Sequence, residues 1–306
     1  RIGGRIWTDR TLGPAVDLGA SWIHGINGNP LTEIVEEAGI ETVPTDGASY
    51  IVRDDEGEVR WSDLMEPATL VRRADVDPEQ VAASGGSLGD VFASATQDLD
   101  AQERRMAEFG IVWEVEQEYA ADADDLSPLA VTEGGVYPGP EVVFPDGYVQ
   151  VLEALTPGLD ITLGRPVTAI EYGPDGVRVE ADGGSIEADR VIVTVPLGVL
   201  KHGAITFAPA LPSAKQEAIE RLGTGLLDKT FLRFDEAFWD DVDWIGYLSP
   251  DPAERGRWAG WLNVARQVDD PVLLAFHAGS TAVALEARSA DETVAAALAT
   301  LRRMYG

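Results

Sequence analysis

Two glycines set between arginines, Arg1-Ile2-Gly3-Gly4-Arg5, stand a few residues ahead of Asp17-Leu18-Gly19-Ala20-Ser21-Trp22-Ile23-His24-Gly25. Paired glycines let a main chain approach a ligand more closely than any Cβ would permit, and an adjoining arginine can fork onto phosphate oxygens. The two segments together predict the middle of a dinucleotide-binding site. That commits the chain to an α/β layout in which turns at strand ends present bare backbone.

The rest of the composition bounds the answer without sharpening it. A chain of 306 residues, 45% hydrophobic, holds one large or two medium cores. Its longest apolar runs, Val191 to Leu200 and Val272 to Ala278, fall short of the ~18 residues that read as a membrane span, so no membrane partner is expected. With no cysteine, disulfides, thiol catalysis and thiolate metal sites are excluded; a cytoplasmic location is the expectation. The 53 acidic and 23 basic residues leave a net charge of -30. Such a field repels nucleic acid and favours cationic ligands; its plainer reading is a solvated acidic surface.

Turn chemistry divides the chain. Asn29-Pro30 opens a helix to Ala38 that Gly39 closes. Tyr50 to Arg53, the turn at Asp54 to Gly57, and Glu58 to Trp61 predict a hairpin. From 63 to 122 the pattern is helical, with Leu88, Val91, Phe92 and Ala95 on one stripe. Beyond Gly139 a strand at Glu141 to Phe144 and a helix at Gly147 to Leu155 are expected. Short strands follow at 161–163, 167–172, 177–180 and 185–188, broken by Pro174-Asp175-Gly176 and Asp182-Gly183-Gly184. Arg190 to Val195 reads as a strand buried on both faces. After a helix from Pro212 to Leu222 come strands at 229–234, 245–248, 258–264 and 272–277, then one or two Ala-rich helices over 281–304. The predicted fold class is α/β (α+β): residues 1–45 and 140–207 form an incomplete, Rossmann-like domain of the dinucleotide-binding type. Interleaved with it, 46–139 and 208–306 form a mixed-sheet-plus-helices substrate domain.

The order of five segments resembles the signatures of the flavin-dependent amine oxidases, and among them the polyamine oxidases and histone-lysine demethylases. These are Arg1 to Arg5, Leu18 to Gly25, Gly28-Asn29-Pro30, Ala188 to Lys201, and Lys229 to Asp235 with Phe238-Trp239. The resemblance implies FAD as cofactor, and residues 1–45 and 140–207 as the partial FAD-binding domain. It nominates Arg1, Gly3, Gly4 and Arg5 for the pyrophosphate and ribose, and Gly19, Ala20, Ser21 and Trp22 for the flavin ring and ribityl chain. Val167 would meet the adenine, and Val195 and Pro196 would pack beside the cofactor. Lys229 would hold a water against the flavin N5, and His24 would stand at the mouth of the substrate site as a second catalytic candidate. The implied reaction passes a hydride equivalent from a C–H beside an amine nitrogen, leaving an imine that water hydrolyses, with hydrogen peroxide as co-product. The substrate would be a small polyamine-like amine.

Each nomination has a plainer reading: Gly3-Gly4 as a tight turn, His24 as a turn histidine, Lys229 as a solvated strand-edge lysine. His202 and His277 lack companion ligands, so no metal is expected. Trp239, Trp244, Trp258 and Trp261 are assigned to core packing ahead of an amine cavity. In relatives a Gly-x-Gly-x-x-Gly turn precedes the first motif and a Gly-Glu segment follows the last. Their absence here predicts that this polypeptide alone binds FAD weakly and is inactive, being either the core of a longer enzyme or a non-catalytic relative serving as a binding module. An L-amino-acid oxidase or a desaturase-like relative is the remaining alternative; the former would need an arginine for the substrate carboxylate, with Arg233 and Arg257 as candidates.

Overall fold

In a computed structural model of the chain, the described residues are 1–60, 66–74, 76–129 and 135–306, and they form two compact units. One comprises residues 1–2 and 158–224; the other comprises 3–157 and 225–306.

The larger unit is built on a six-stranded sheet in the spatial order Leu227–Arg233, Val272–Ala278, Gly260–Asn263, Trp244–Tyr247, Tyr50–Asp54, Gly57–Val59. All pairs are antiparallel except Trp244–Tyr247 with Tyr50–Asp54. Because side chains alternate across a strand, the register assigns each residue a face. Ile245, Tyr247, Trp261, Leu273 and Ala275 point to one side and bury against Ala297, Leu301 and Met304 of the helix Ala290–Tyr305. That helix begins at Ser289, whose hydroxyl accepts from the Glu292 amide while Glu292 reaches back, a reciprocal cap.

On the other face the directly paired row runs Lys229, Phe276, Gly260, Gly246, Val52. Two adjacent glycines leave a trough, and the helix Ala101–Ile111 with its continuation lies in it. A Cβ on Gly246 would stand 2.8 Å from Phe109 Cζ and 3.2 Å from Trp113 Cζ3. One on Gly260 would overlap the Gln117 amide. Residues Val112–Glu116 adopt a π-helical turn, the one-residue slippage that lets Phe109, Trp113 and Gln117 all face the trough. A three-stranded sheet, Trp22–Ile23, Glu141–Val143, Val43–Thr45, and the short pair Thr8–Asp9 with Val16–Asp17 complete the framework around this face.

The smaller unit carries a four-stranded sheet, Gly184–Ala188, Gly176–Ala181, Val167–Gly173, Thr206–Ala208, with the helices Leu197–Lys201 and Ser213–Arg221. Strands expected at 161–163 and 190–195 are not formed. Leu163 is 57% exposed and Ile192 87% exposed. An apolar run becomes a buried strand only where a neighbour offers a hydrogen-bonding ladder and a covering layer, and no described residue of this unit pairs with either run. The strand expected from 258 begins instead at Gly260, because Trp258 takes a left-handed backbone at φ 54°. Trp61, the expected hairpin end, lies outside the described residues. No described helix is long and apolar enough to cross a membrane.

Candidate functional site

The lysine at the edge of the glycine row is the centre of the arrangement. Lys229 Nζ donates to the main-chain oxygens of Asp17 at 3.0 Å and Gly19 at 2.6 Å, and to the Ser21 hydroxyl. It stands 5.3 Å from the centroid of the Trp22 ring. Burial holds its pKa down to about 8, with the negative charge of Asp17 working in the opposite direction. Among the nominated residues, Lys229, Gly19, Ser21 and Trp22 are therefore brought together. The Asp17–Ser21 turn is also tied to the glycine-arginine run: the Ala20 amide donates to Arg5 O at 3.2 Å and the Leu18 amide to Trp7 O at 2.8 Å. Gly19 is required at this crossing, since a Cβ there would lie inside the radius of Arg5 O.

Gly3 and Gly4 take positive φ values of 101° and 54°, and a Cβ on Gly4 would meet nothing within 4 Å. A left-handed backbone with open space before it and an exposed Arg5 beside it fits an anionic cofactor lying along this edge. Ala20 is likewise exposed. Val167, which opens the Val167–Gly173 strand, and Val195 with Pro196, which precede the helix Leu197–Lys201, belong with Arg1 to the smaller unit.

His24 is exposed, its Nδ1 3.2 Å from Glu141 Oε1 and its ring stacked on Trp22 at 6.3 Å between centroids. Donating to Glu141 raises the imidazole pKa, against the pull of burial, and holds the Glu141 carboxyl below its ordinary range. No local pattern pointed to Glu141: the pairing of Val142 with Ile23, far apart in the chain, brings it beside His24. Beyond Trp22 the stack continues to Trp244 at 6.3 Å and Phe276 at 6.1 Å, with Trp113 edge-on to Trp244 at 6.2 Å. The four tryptophans first grouped as core residues thus separate. Trp239, Trp258 and Trp261 pack under the Ala290–Tyr305 helix, whereas Trp244 walls the lysine face.

Arg233 and Arg257 are committed elsewhere: Arg233 to Asp270 and to Leu12 O, Arg257 to Glu254 at 3.8 Å. His277 is buried, with burial lowering its pKa to about 4, and its Nε2 accepts from the Trp258 amide at 3.3 Å. Among the described residues no group of three or more acidic or imidazole side chains could hold a metal ion. The residues missed from sequence are those that support the lysine from behind. Asp17 is buried and accepts from the Tyr148 amide at 2.9 Å and from the Thr8 hydroxyl; only its isolation within an apolar strand, Ala15-Val16-Asp17-Leu18, could have signalled it.

Over residues 1–306 the chain matches the family described as flavin containing amine oxidoreductase. It is 34% identical to lysine-specific histone demethylase 1 homolog 1 of Oryza sativa subsp. japonica, covering 100% of this chain and 39% of that protein. To polyamine oxidase 4 of the same organism it is 33% identical, covering 99% of this chain and 66% of the relative. The chain thus spans less than two thirds of the length of these relatives. A solved structure of putrescine oxidase bound to putrescine superposes with a TM-score of 0.73 at 21% identity, over 100% of this chain and 74% of that one. This likeness supports the fold: α/β with a Rossmann-like part and a mixed-sheet part.

Proposed function

Because the chain belongs to the flavin containing amine oxidoreductase family, we propose that the protein carrying it oxidises a primary or secondary, polyamine-like amine to an imine. FAD is the proposed flavin and molecular oxygen the final acceptor, leaving hydrogen peroxide. When bound, FAD supplies the two-electron acceptor for the C–H bond beside the amine nitrogen.

The chain's own contributions are binding, water exclusion and proton handling. Trp22, Trp244 and Phe276 offer a continuous aromatic wall, which excludes water and attracts an ammonium to its π faces. His24 with Glu141 makes an exposed protonatable pair, suited to taking a proton from an arriving ammonium so that the amine reacts neutral. Lys229 carries the reading: a lysine whose pKa is about 8 exists in both protonation states near neutrality, and Nζ can hold or return a proton beside the Asp17–Ser21 turn. The Gly3, Gly4 and Arg5 edge is proposed to take the phosphate side, and the Gly19–Trp22 segment the ring. An amine without a carboxylate is favoured over an amino acid, since Arg233 and Arg257 are both spent on carboxylates of the protein.

The test uses the full-length protein that carries this sequence. Anaerobic addition of putrescine or spermidine should bleach its visible flavin absorbance, and readmitted oxygen should yield one peroxide per amine consumed. Lys229→Met should retain flavin and lose about 10²–10⁴ in kcat/KM. A flavoprotein left fully oxidised by every di- and polyamine would defeat the proposal.

A further inference from the structure

Asp17 reaches Lys229 through its main chain and turns its side chain the other way. Its carbonyl accepts one Nζ proton at 3.0 Å, and the two other acceptors of that ammonium, Gly19 O and Ser21 Oγ, sit on the same short turn. The Ser21 hydroxyl lies 3.3 Å from the Asp17 carbonyl as well. Behind the turn, the buried carboxylate takes the Tyr148 amide on both oxygens, at 3.1 and 2.9 Å, and the Thr8 hydroxyl on one. Thr8 Oγ1 in turn accepts from the Val149 amide at 3.1 Å. Gly147, at φ 88°, allows this approach, since a Cβ there would press into Thr8.

Burying a carboxylate is expensive unless something uses its charge. Hydrogen bonds alone do not demand an ion at this position, because a neutral amide of the same shape offers one of the two oxygens. Burial raises the Asp17 pKa, and the Thr8 hydroxyl, the Tyr148 amide and the charges of Lys229 and Arg10 pull it back; Asp17 is in turn the charge that acts on Lys229. We propose that Asp17 is the positioning residue of the lysine site: its carboxylate, behind the turn, locks Asp17–Ser21 onto the Tyr148 amide and, through Thr8, onto the Val149 amide, so that three oxygens of one turn meet Nζ with a negative charge at their back. It thereby sets both the place and the protonation of Lys229. The step from this to catalysis rests on the amine oxidation proposed above; the electrostatic claim does not.

The chain has only three lysines, Lys201, Lys215 and Lys229, and the first two are exposed. Selective ¹³Cε/¹⁵Nζ labelling of lysine in the full-length protein follows each titration without chemical modification, and the Lys229 resonance is the one that Lys229→Met removes. That lysine should titrate near 8, and in Asp17→Asn the midpoint should fall by about one unit as the negative charge behind the turn is lost. Asp17→Glu, which returns the charge, should recover most of the shift. Asp17→Ser, smaller and equally neutral, gives the same readout should the Asn variant fail to fold. If the proposed oxidation holds, the limb of kcat/KM against pH that Lys229 governs moves to lower pH by the same amount. A titration shift without any amine oxidation would sink the functional reading and leave this one standing. A folded neutral variant with the Lys229 midpoint in place overturns the proposal, as does failure of both neutral variants to fold, which makes Asp17 a general framework residue.

Discussion

At the scale of single residues, the chemistry depends on two titrating groups displaced in opposite senses. Lys229 has its folded pKa below its ordinary value, so the unfolded chain binds more protons wherever pH lies between about 8 and 10.5. Stability rises with pH across that window, as the penalty of burying the cation is relieved. At ~1.4 kcal/mol per pKa unit the relief approaches about 3 kcal/mol. Urea denaturation of the wild type and of Lys229→Met at pH 7 and at pH 10 reads it: the wild type should gain on the variant by about that amount, and a constant difference would mean an unperturbed lysine. His24 behaves in reverse. Its raised pKa comes first from the Glu141 hydrogen bond, so the pair's stabilisation is present below the ordinary imidazole value of 6.5 and is lost as pH rises through the folded one. The chain has three histidines, and imidazole NMR should show His24 titrating highest of His24 and His277. Glu141→Gln should bring the His24 midpoint down, and a His24 midpoint indifferent to that change would refute the pairing.

At the scale of elements, the lysine face exists because a helix fits a trough of glycines. Gly246→Ala would drive a methyl against Phe109, Trp113 and Val52, all within 3.2 Å. Such overpacking costs about 1–3 kcal/mol. In the helix Leu197–Lys201, Gly198→Ala meets nothing within 4 Å and should be neutral or stabilising by about 0.4–1 kcal/mol. Comparing the two denaturation midpoints separates close packing from a generic effect of alanine, and equal shifts would contradict the trough. The same trough shows where sequence reading stops. Leu227–Arg233 and Val272–Ala278 were legible because apolar runs bounded by turns announce strands, and Asn29-Pro30 with Gly39 announced a helix at both ends. The motif residues Gly19, Ser21, Trp22 and Lys229 were legible as a set through resemblance. The pairing of Gly246 with Gly260, the π-turn over it, and the Asp17–Thr8–Tyr148 support depend on contacts between residues far apart in the chain, which no local pattern encodes. The exposed run at 191–193 is the opposite lesson: hydrophobicity marks a residue for burial, but only a neighbouring strand can provide it.

At the scale of the whole molecule, the net charge of -30 acts on whatever approaches. The basic residues are almost all arginines, and several are spent in ion pairs with the protein's own carboxylates, such as Arg53 with Asp240 and Arg255 with Glu116. The excess negative potential therefore extends into solvent, where a dication or trication gains more from it than a monocation does. Screening shortens that reach from about 30 Å at 0.01 M salt to about 8 Å at 0.15 M. If the protein oxidises polyamines, kcat/KM should fall with added sodium chloride in the order spermidine, putrescine, butylamine. The spermidine loss should be about tenfold or more across that range, as for other steered associations. The effect belongs to encounter, so kcat at saturating amine should hold nearly constant while KM rises. Equal salt sensitivity for the three amines would show that the acidic surface is a solubility device alone and that selection of the substrate rests entirely on the aromatic wall and the His24–Glu141 pair.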